Sequence, residues 1–200
     1  MQSKQQLLAF QIFKSYLCVF FGDHEQGAAL ALKRGNRGVQ DAHGLSVTML
    51  DPFVRGMSLY AMARKTSRRK YRAEANKARF TLDKWVQRGN PNVVHQLKLL
   101  NAEKAALERG SGKTIKDVSA LYHEAVALAA RGGFLQDAGL ASERHADYLL
   151  HCQPPSSTSE NHRIQEESAI HYMKEAVKYY SDFGAHRKVE QPKLMYPPLV

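Results

Sequence analysis

The sequence predicts an all-α fold in which antiparallel helical hairpins stack one after another as an α-α superhelix, or solenoid. Three observations favour this fold class. Apolar residues recur at spacings of three and four along almost the whole chain. The sequence lacks the sustained apolar/polar alternation and the Asn-Gly turns that would indicate strands. One apolar pattern also returns 51 positions further along the chain.

Residues 1–34 predict an N-terminal helical hairpin. The apolar stripe of its first helix consists of Leu8, Ile12, Tyr16 and Val19 or Phe20. Gly22 ends this stripe, and Asp23 follows at a position where a carboxylate can accept a hydrogen bond from the free N–H groups of a second helix. Residues 35–49 are rich in glycine and predict a loop.

The most apolar stretch of the chain, Leu7–Phe21, predicts a buried helix. It is 15 residues long and is interrupted by Gln11 and Lys14, whereas a membrane-spanning helix needs about 20 apolar residues. A secretory signal is not expected, because no basic leader is followed by a small-residue cleavage site. With only two cysteines, Cys18 and Cys152, these features favour a cytoplasmic protein without a transmembrane segment.

Residues 50–151 predict the core of helical repeats. Asp51 is expected to be the N-cap of a helix whose first turn contains Pro52, because proline needs no hydrogen-bond partner there. Two apolar stripes follow, Phe53, Met57 and Tyr60 in the first helix and Tyr71, Ala75, Ala78, Leu82 and Trp85 in the next. Asn90 and Thr114 are the expected caps of two further helices.

The pattern that returns after 51 positions predicts a structural repeat. Val118, Leu121, Ala125 and Leu128 correspond to Ala169, Tyr172, Ala176 and Tyr179. Each copy reaches a glycine at the end of its helix, Gly133 and Gly184. Residues 152–163 predict a Pro/Ser-rich linker insert, without which the period shortens to roughly 40 residues, within the range of two-helix repeats. Residues 164–196 are then the C-terminal repeat helices.

Eight short runs carry a resemblance to a known family. They are Phe20–Asp23, Leu82–Trp85, Asn90–Asn92, Leu100–Glu103, Leu121–Val126, Gly133–Asp137, Tyr172–Ala176 and Phe183–Val189. In this order they resemble the tetratricopeptide-like (TPR-like) helical region of very large signalling proteins. There, a serine/threonine-kinase-like domain and a P-loop ATPase precede the helices, and a GAF sensor and a histidine kinase commonly follow. The resemblance implies a TPR-like superhelix.

The resemblance also implies a regulatory and scaffolding role, because the chemistry of those proteins resides in flanking domains that this sequence does not contain. We therefore expect a non-catalytic, kinase-associated interaction module of signal transduction, with no catalytic residue, cofactor or metal of its own. Its partner would be a peptide segment or a neighbouring signalling domain. The Pro/Ser insert departs from the family pattern, and kinase activity is not carried over to this chain.

The charge of the chain indicates an acidic partner. Lysine and arginine number 29 against 19 aspartate and glutamate, which gives a net charge of +10. Six basic residues fall within nine positions and form the candidate partner-binding cluster: Arg64, Lys65, Arg68, Arg69, Lys70 and Arg72. Two alternatives stay open for this cluster, a solvated corner between helices and a contact with nucleic acid, although no nucleic-acid-reading motif accompanies it.

Other motifs give weaker indications of chemistry. Gly110–Thr114 ends like a P-loop, but that loop needs a glycine where Leu107 stands and a strand before it, so we expect a turn between helices. The closest two of the nine histidines are six residues apart, which does not suit a metal site on one helix face. His123 and His171 lie near apolar stripes and are expected to pack in the interior. An enzyme with an unrecognised site is the third hypothesis, which a tightly bound nucleotide or metal would favour.

Overall fold

A computed structural model describes residues 4–36, 46–108, 112, 114–152 and 159–196. Within these ranges the chain consists of helices and the turns between them, and no strand is present. The all-α prediction is therefore confirmed for the described residues. The predicted loop 35–49 and the predicted insert 152–163 lie partly outside them.

Nine α-helices and two short 3-10 turns make up the described residues. The helices are α1 (Lys4–Phe20), α2 (His24–Arg34), α3 (Leu50–Thr66), α4 (Arg69–Gln87), α5 (Val94–Leu107), α6 (Ile115–Arg131), α7 (Leu135–His151), α8 (Ser159–Asp182) and α9 (His186–Met195). The 3-10 turns, Ser46–Met49 and Pro91–Val93, come directly before α3 and α5. Helix α8 begins inside the segment 152–163, so the last residues of that predicted linker are helical.

The helices form two compact units, unit 1 (Met1–Leu107) and unit 2 (Glu108–Val200). The boundary between the units lies inside residues 50–151, which the sequence predicts as one core of helical repeats. Each unit buries its own apolar side chains, and each is described by itself below.

Helix α3 is the centre of unit 1 and packs against α1, α2, α4 and α5. Its predicted stripe of Phe53, Met57 and Tyr60 is fully buried, as the spacing indicates. Burying such a side chain stabilises a fold by about 1.5–3 kcal/mol. The approach to α5 is close, because a Cβ built on Gly56 would lie 2.7 Å from a methyl carbon of Leu100.

Two sequence predictions for unit 1 are wrong. Helix α1 is not a buried helix, since Leu8 and Ile12 face the core while Phe10 and Phe13 are exposed. Asp51 is not an N-cap, because α3 begins one residue earlier and Asp51 lies fully buried inside its first turn. The expected caps Asp23, Asn90 and Thr114 do accept backbone hydrogen bonds at helix starts, as predicted.

In unit 2, α6 packs against α7, α7 against α8, and α8 against α9. The buried positions of α6 recur in α8 at the offset of 51 found in the sequence. The pairs are Val118 and Ala169, Tyr122 and Met173, Ala125 and Ala176, and Ala129 and Tyr180. Half of these positions lie one residue after the predicted stripe, because the interior faces Tyr122 rather than Leu121. The buried positions thus confirm the period of 51, but at half of them the buried residue comes one position after the predicted one.

The turns that follow α6 and α8 have the same geometry. Gly133 and Gly184 adopt φ of 76° and 83°, a left-handed conformation that favours glycine. The next N–H groups, of Phe134 and Ala185, donate to the carbonyls of Ala129 and Tyr180 at 2.9 and 2.8 Å. These paired hydrogen bonds are the 6→1 bonds of a Schellman motif. Unit 2 therefore contains two helical hairpins with matching turns.

The closest approach in unit 2 gives a testable prediction at Gly139 of α7. A Cβ on this residue would lie 2.5 Å from a ring carbon of Tyr180, whose ring is fully buried. We expect Gly139→Ala to destabilise unit 2 by about 1–3 kcal/mol through overpacking, although alanine favours a helix by about 1 kcal/mol over glycine. Urea unfolding measures the difference.

Gly132→Ala is the matched control for this substitution. Its Cβ would lie 2.9 Å from the ring edge of Phe134, a partly exposed side chain that can swing away, and 3.3 Å from the carbonyl oxygen of Leu128. We expect a clearly smaller loss of stability there, and equal losses at the two glycines would contradict the close contact at Tyr180.

Candidate functional site

The six basic residues predicted as a partner-binding cluster lie where α3 ends and α4 begins. The chain reverses between the two helices in two residues. Ser67 adopts φ of 56°, and its N–H donates to the carbonyl of Ala63 at 2.9 Å. Arg68 then takes an extended conformation as the N-cap of α4. This tight turn brings the basic end of α3 and the basic start of α4 to one corner of unit 1.

Two of the six cations are engaged by carboxylates of unit 1. Arg64 lies 2.6 Å from Glu103, whose side chain on α5 is 1% exposed. A buried carboxylate needs such a partner, so Arg64 stabilises the packing of α3 on α5. Lys65 lies 3.4 Å from Glu25, and both side chains are exposed. An exposed pair contributes only about 0–1 kcal/mol, and a partner can displace it.

The other four cations, hereafter the basic corner, are Arg68, Arg69, Lys70 and Arg72. All four side chains are exposed, and none forms an ion pair within the described part of the chain. They surround the N-terminus of α4, which already carries a partial positive charge from its free N–H groups. Helix α4 has no acidic residue in its first turn and no side-chain cap. Positive charge therefore accumulates here, and no carboxylate of the described residues forms an ion pair with it.

Helix α4 holds the basic corner on a well-packed support. Ala75, Ala78 and Leu82 are fully buried, as the predicted stripe requires. Asn76 accepts a hydrogen bond from the buried Tyr60 hydroxyl at 2.8 Å, which ties α4 to the core helix α3. The exposed cations thus extend from a backbone whose position is fixed by its opposite face.

The P-loop-like run ends in a helix cap. Thr114 accepts a hydrogen bond from the N–H of Asp117 at 3.2 Å, and the Asp117 carboxylate accepts one from the N–H of Thr114 at 2.8 Å. This reciprocal pair is a capping box. The element before the run is a helix, α5, whereas a phosphate-binding P-loop follows a strand. Gly110, Ser111 and Lys113 lie outside the described residues.

The histidines of unit 2 differ from the sequence prediction. His123 and His171 are exposed rather than packed, and the buried histidine is His145 of α7. No group of three or more histidine, cysteine, aspartate or glutamate side chains that could hold a metal ion occurs among the described residues.

Unit 2 contains a buried ionisable cluster that the apolar spacing of the sequence does not indicate. The Lys188 ammonium, 1% exposed, lies 2.9 Å from Glu143 and 2.8 Å from Gln191. The Tyr180 hydroxyl donates to the same Glu143 carboxylate. Burial lowers the pKa of Lys188, and the charge of Glu143 opposes that shift. Because these groups satisfy one another, the cluster fastens α7, α8 and α9 together. Lys188 lies 51 positions after Asp137, which is also buried. This correspondence within the repeat is the sequence feature that could have indicated a buried polar residue here.

Comparisons with family models, with curated proteins and with solved structures find no match to this chain. The resemblance to TPR-like regions of signalling proteins thus remains a prediction. Among the described residues, no helix combines the length and the apolar character that a membrane crossing needs.

Proposed function

We propose that this chain is a non-catalytic helical-repeat interaction module of a signalling protein, and that it binds an acidic protein segment at the basic corner. The observation that supports this function is the set of four exposed cations around the N-terminus of α4, without a carboxylate partner in the described chain. An acidic segment would supply the missing negative charge. Stacked helical hairpins commonly offer such surfaces to peptides.

An acidic protein segment suits the basic corner better than nucleic acid does. The four cations lie within five consecutive positions, so they can face a few carboxylates of a short peptide. Proteins that bind duplex DNA through phosphates often make six to ten such contacts over a longer surface. A nucleic-acid function is accordingly the second candidate, and the same titration separates the two.

The test is a titration of a labelled peptide of alternating glutamate and glycine, followed by fluorescence anisotropy. Replacing Arg68, Arg69, Lys70 and Arg72 together by glutamine should weaken binding roughly thirtyfold or more, because each lost cation removes a favourable interaction of up to about 1 kcal/mol. Binding should also weaken as salt rises, since the cations are exposed.

A matched variant controls for net charge. Glutamine at Lys116, Lys174, Lys178 and Arg187, all exposed in unit 2, removes the same four charges. Both variants fall from +10 to +6. Equal weakening in the two variants would show that net charge alone attracts the peptide and would contradict the proposal. Tighter binding of duplex DNA than of peptide, lost with the basic corner, would favour the second candidate instead.

A further inference from the structure

Helix α1 exposes a continuous row of large apolar side chains. The α1 stripe consists of Leu7, Phe10, Phe13 and Leu17 of α1 and of Phe21, the residue directly after it, and these side chains are 43–67% exposed. Their spacings of three and four place them within roughly 120° of the helix circumference. The opposite face of α1, with Leu8 and Ile12, is packed in unit 1. Both faces of α1 are therefore apolar, and only one is covered by the described chain.

The α1 stripe is large enough to be a binding surface. An aromatic side chain presents about 150–250 Å², so five half-exposed side chains leave on the order of 500 Å² of apolar surface open. The largest apolar patch on a typical monomer is about 300–600 Å² and is often functional. A helix of similar width could cover the whole row.

The charges beside the stripe indicate what covers it. The charged residues of α1 are Lys4 and Lys14, and the helix carries no acidic residue. Lys14 is exposed and lies within the row, between Phe10 and Leu17. At the Leu7 end, Lys4 and Lys33 line a cleft of about 650 Å³ together with Leu7 and other side chains of α1 and α2.

A second copy of the chain is a poor occupant of this stripe. Residue 14 is the midpoint between residues 7 and 21, so a symmetric antiparallel pairing of two α1 helices would bring the Lys14 ammonium groups together. Two like charges in an apolar contact cost free energy. A partner with a carboxylate at the same place would instead form an ion pair there.

We propose that the α1 stripe binds an amphipathic helix of a partner protein. The apolar face of that helix packs on the five side chains, one of its carboxylates pairs with Lys14, and another reaches Lys4 and Lys33 at the cleft. As in helix-in-groove recognition, the partner helix docks by its apolar face, here with acidic residues beside the apolar anchors. The inference rests on the proposed function as an interaction module for acidic partners, and it names a second surface and the form of the segment bound there.

The probe is a synthetic helical peptide of about five turns, with leucines on one face and glutamates beside them, measured by fluorescence anisotropy. Phe13→Ala should weaken its binding about tenfold, because the buried ring of an interface anchor contributes strongly. Phe80→Ala is the matched control, since Phe80 on α4 is 49% exposed and Phe13 is 52% exposed. We expect less than a twofold change for the control. Both substitutions are at the surface, so the fold should persist in each.

A charge exchange tests the role of Lys14. Lys14→Glu should weaken the glutamate peptide about tenfold and should gain binding of a peptide with lysines in place of the glutamates. Lys116→Glu, at an exposed position of unit 2, should do neither. If the unmodified protein bound the glutamate peptide and the lysine peptide equally well, the proposal would be overturned. The contact would then be purely apolar, and no ion pair with Lys14 would contribute to it.

Three further outcomes would also overturn the proposal. One is concentration-dependent dimerisation in sedimentation that Phe13→Ala abolishes, which would assign the stripe to a second copy. Another is tighter binding to vesicles of anionic phospholipid than to the glutamate peptide, again lost in Phe13→Ala. The third is no binding of the leucine–glutamate peptide at all. Each of these leaves the titration of the basic corner intact, because the glutamate–glycine peptide has no apolar side chain to dock on α1.

Discussion

Replacing Asp51 by asparagine is expected to lower the free energy of unfolding of unit 1 by about 3–5 kcal/mol. Asparagine keeps the size of the side chain and removes only its charge. The Asp51 carboxylate is fully buried between two guanidinium groups, with Arg34 at 2.6 Å and Arg55 at 3.9 Å. Both arginine side chains are at most 2% exposed, so the substitution leaves two buried cations without their counterion.

The remaining contacts of the two arginines do not replace this charge. Arg34 also donates to the Ser15 hydroxyl at 3.1 Å, and Arg55 donates to the Asn36 side-chain carbonyl at 2.7 Å. These neutral acceptors satisfy N–H groups, but they carry no charge, and the Glu74 carboxylate acts on Arg55 more weakly than Asp51 does. Neither compensates two positive charges removed from water. The loss should therefore exceed that of an ordinary hydrogen bond, about 0.5–1.5 kcal/mol.

The same substitution distinguishes this buried cluster from a helix cap. Asparagine caps a helix about as well as aspartate does, so a capping role would cost only a few tenths of a kcal/mol. Asp23, whose carboxylate accepts from the N–H of Gln26 at 3.1 Å, is a cap of that kind and the matched control. Urea unfolding followed by the fluorescence of Trp85, the single tryptophan, reports on unit 1. Equal, small losses for Asp51→Asn and Asp23→Asn would contradict the buried ion cluster.

A double substitution tests the ion pair itself. Arg34→Met removes one of the two cations and should partly restore stability to Asp51→Asn. We expect the double variant to be more stable than the sum of the single losses predicts, by about 1–3 kcal/mol. Strict additivity would show that Arg34 and Asp51 do not interact.

The sequence predicted what depends on local spacing. Phe53, Met57 and Tyr60 are buried as expected, because a helix in contact with a core buries residues three and four apart. The sequence also predicted that α6 and α8 end at Gly133 and Gly184, because glycine readily adopts the left-handed conformation that is common after a helix. The period of 51 also followed, because the same turn and the same buried positions occur in both hairpins.

What depends on distant residues was not predictable from spacing. The local pattern around Asp51 indicates a helix cap, because its partner, Arg34, is 17 positions away and gives no local signal. The interior of unit 2 faces Tyr122 rather than Leu121, since two adjacent apolar residues fit the same helical pattern. In α1 the predicted stripe with Leu8 and Ile12 is the buried face, but the spacing could not show that the second apolar face, with Phe10 and Phe13, has no covering helix. The basic cluster was found, but which two cations are paired depends on Glu25 and Glu103 of other helices.

Acidification from pH 7 to pH 5 is expected to destabilise unit 2 through His145. Its ring is 1% exposed, and both ring nitrogens are buried without a hydrogen-bond partner in the described structure. Tyr122 of α6 stacks on it at 5.3 Å between ring centroids, and Tyr172 of α8 approaches to 3.8 Å. The imidazole therefore fills an aromatic layer between three helices, where a proton has no acceptor to stabilise it.

Burial lowers the pKa of His145 from 6.5 to about 3, and the charge on His123 adds a smaller shift in the same direction. Between these two pKa values the unfolded chain binds a proton that the folded chain does not. The free energy of unfolding must then fall as the pH falls, by up to about 1.4 kcal/mol for each pH unit below 6.5. At pH 5 the expected loss is about 2 kcal/mol.

His145→Phe isolates this effect, because phenylalanine keeps the aromatic layer and cannot be protonated. The variant should lose the pH dependence of unit 2 between pH 7 and 5, and at pH 7 it should be more stable by about 1–3 kcal/mol, since two unpartnered nitrogens are removed. Urea unfolding by circular dichroism gives the stability, and hydrogen exchange in α7 assigns it to unit 2. His186→Gln, at an exposed position of α9, should keep the wild-type slope. If His145→Phe keeps that slope as well, another group is responsible, and the aromatic layer is not what makes unit 2 sensitive to acid.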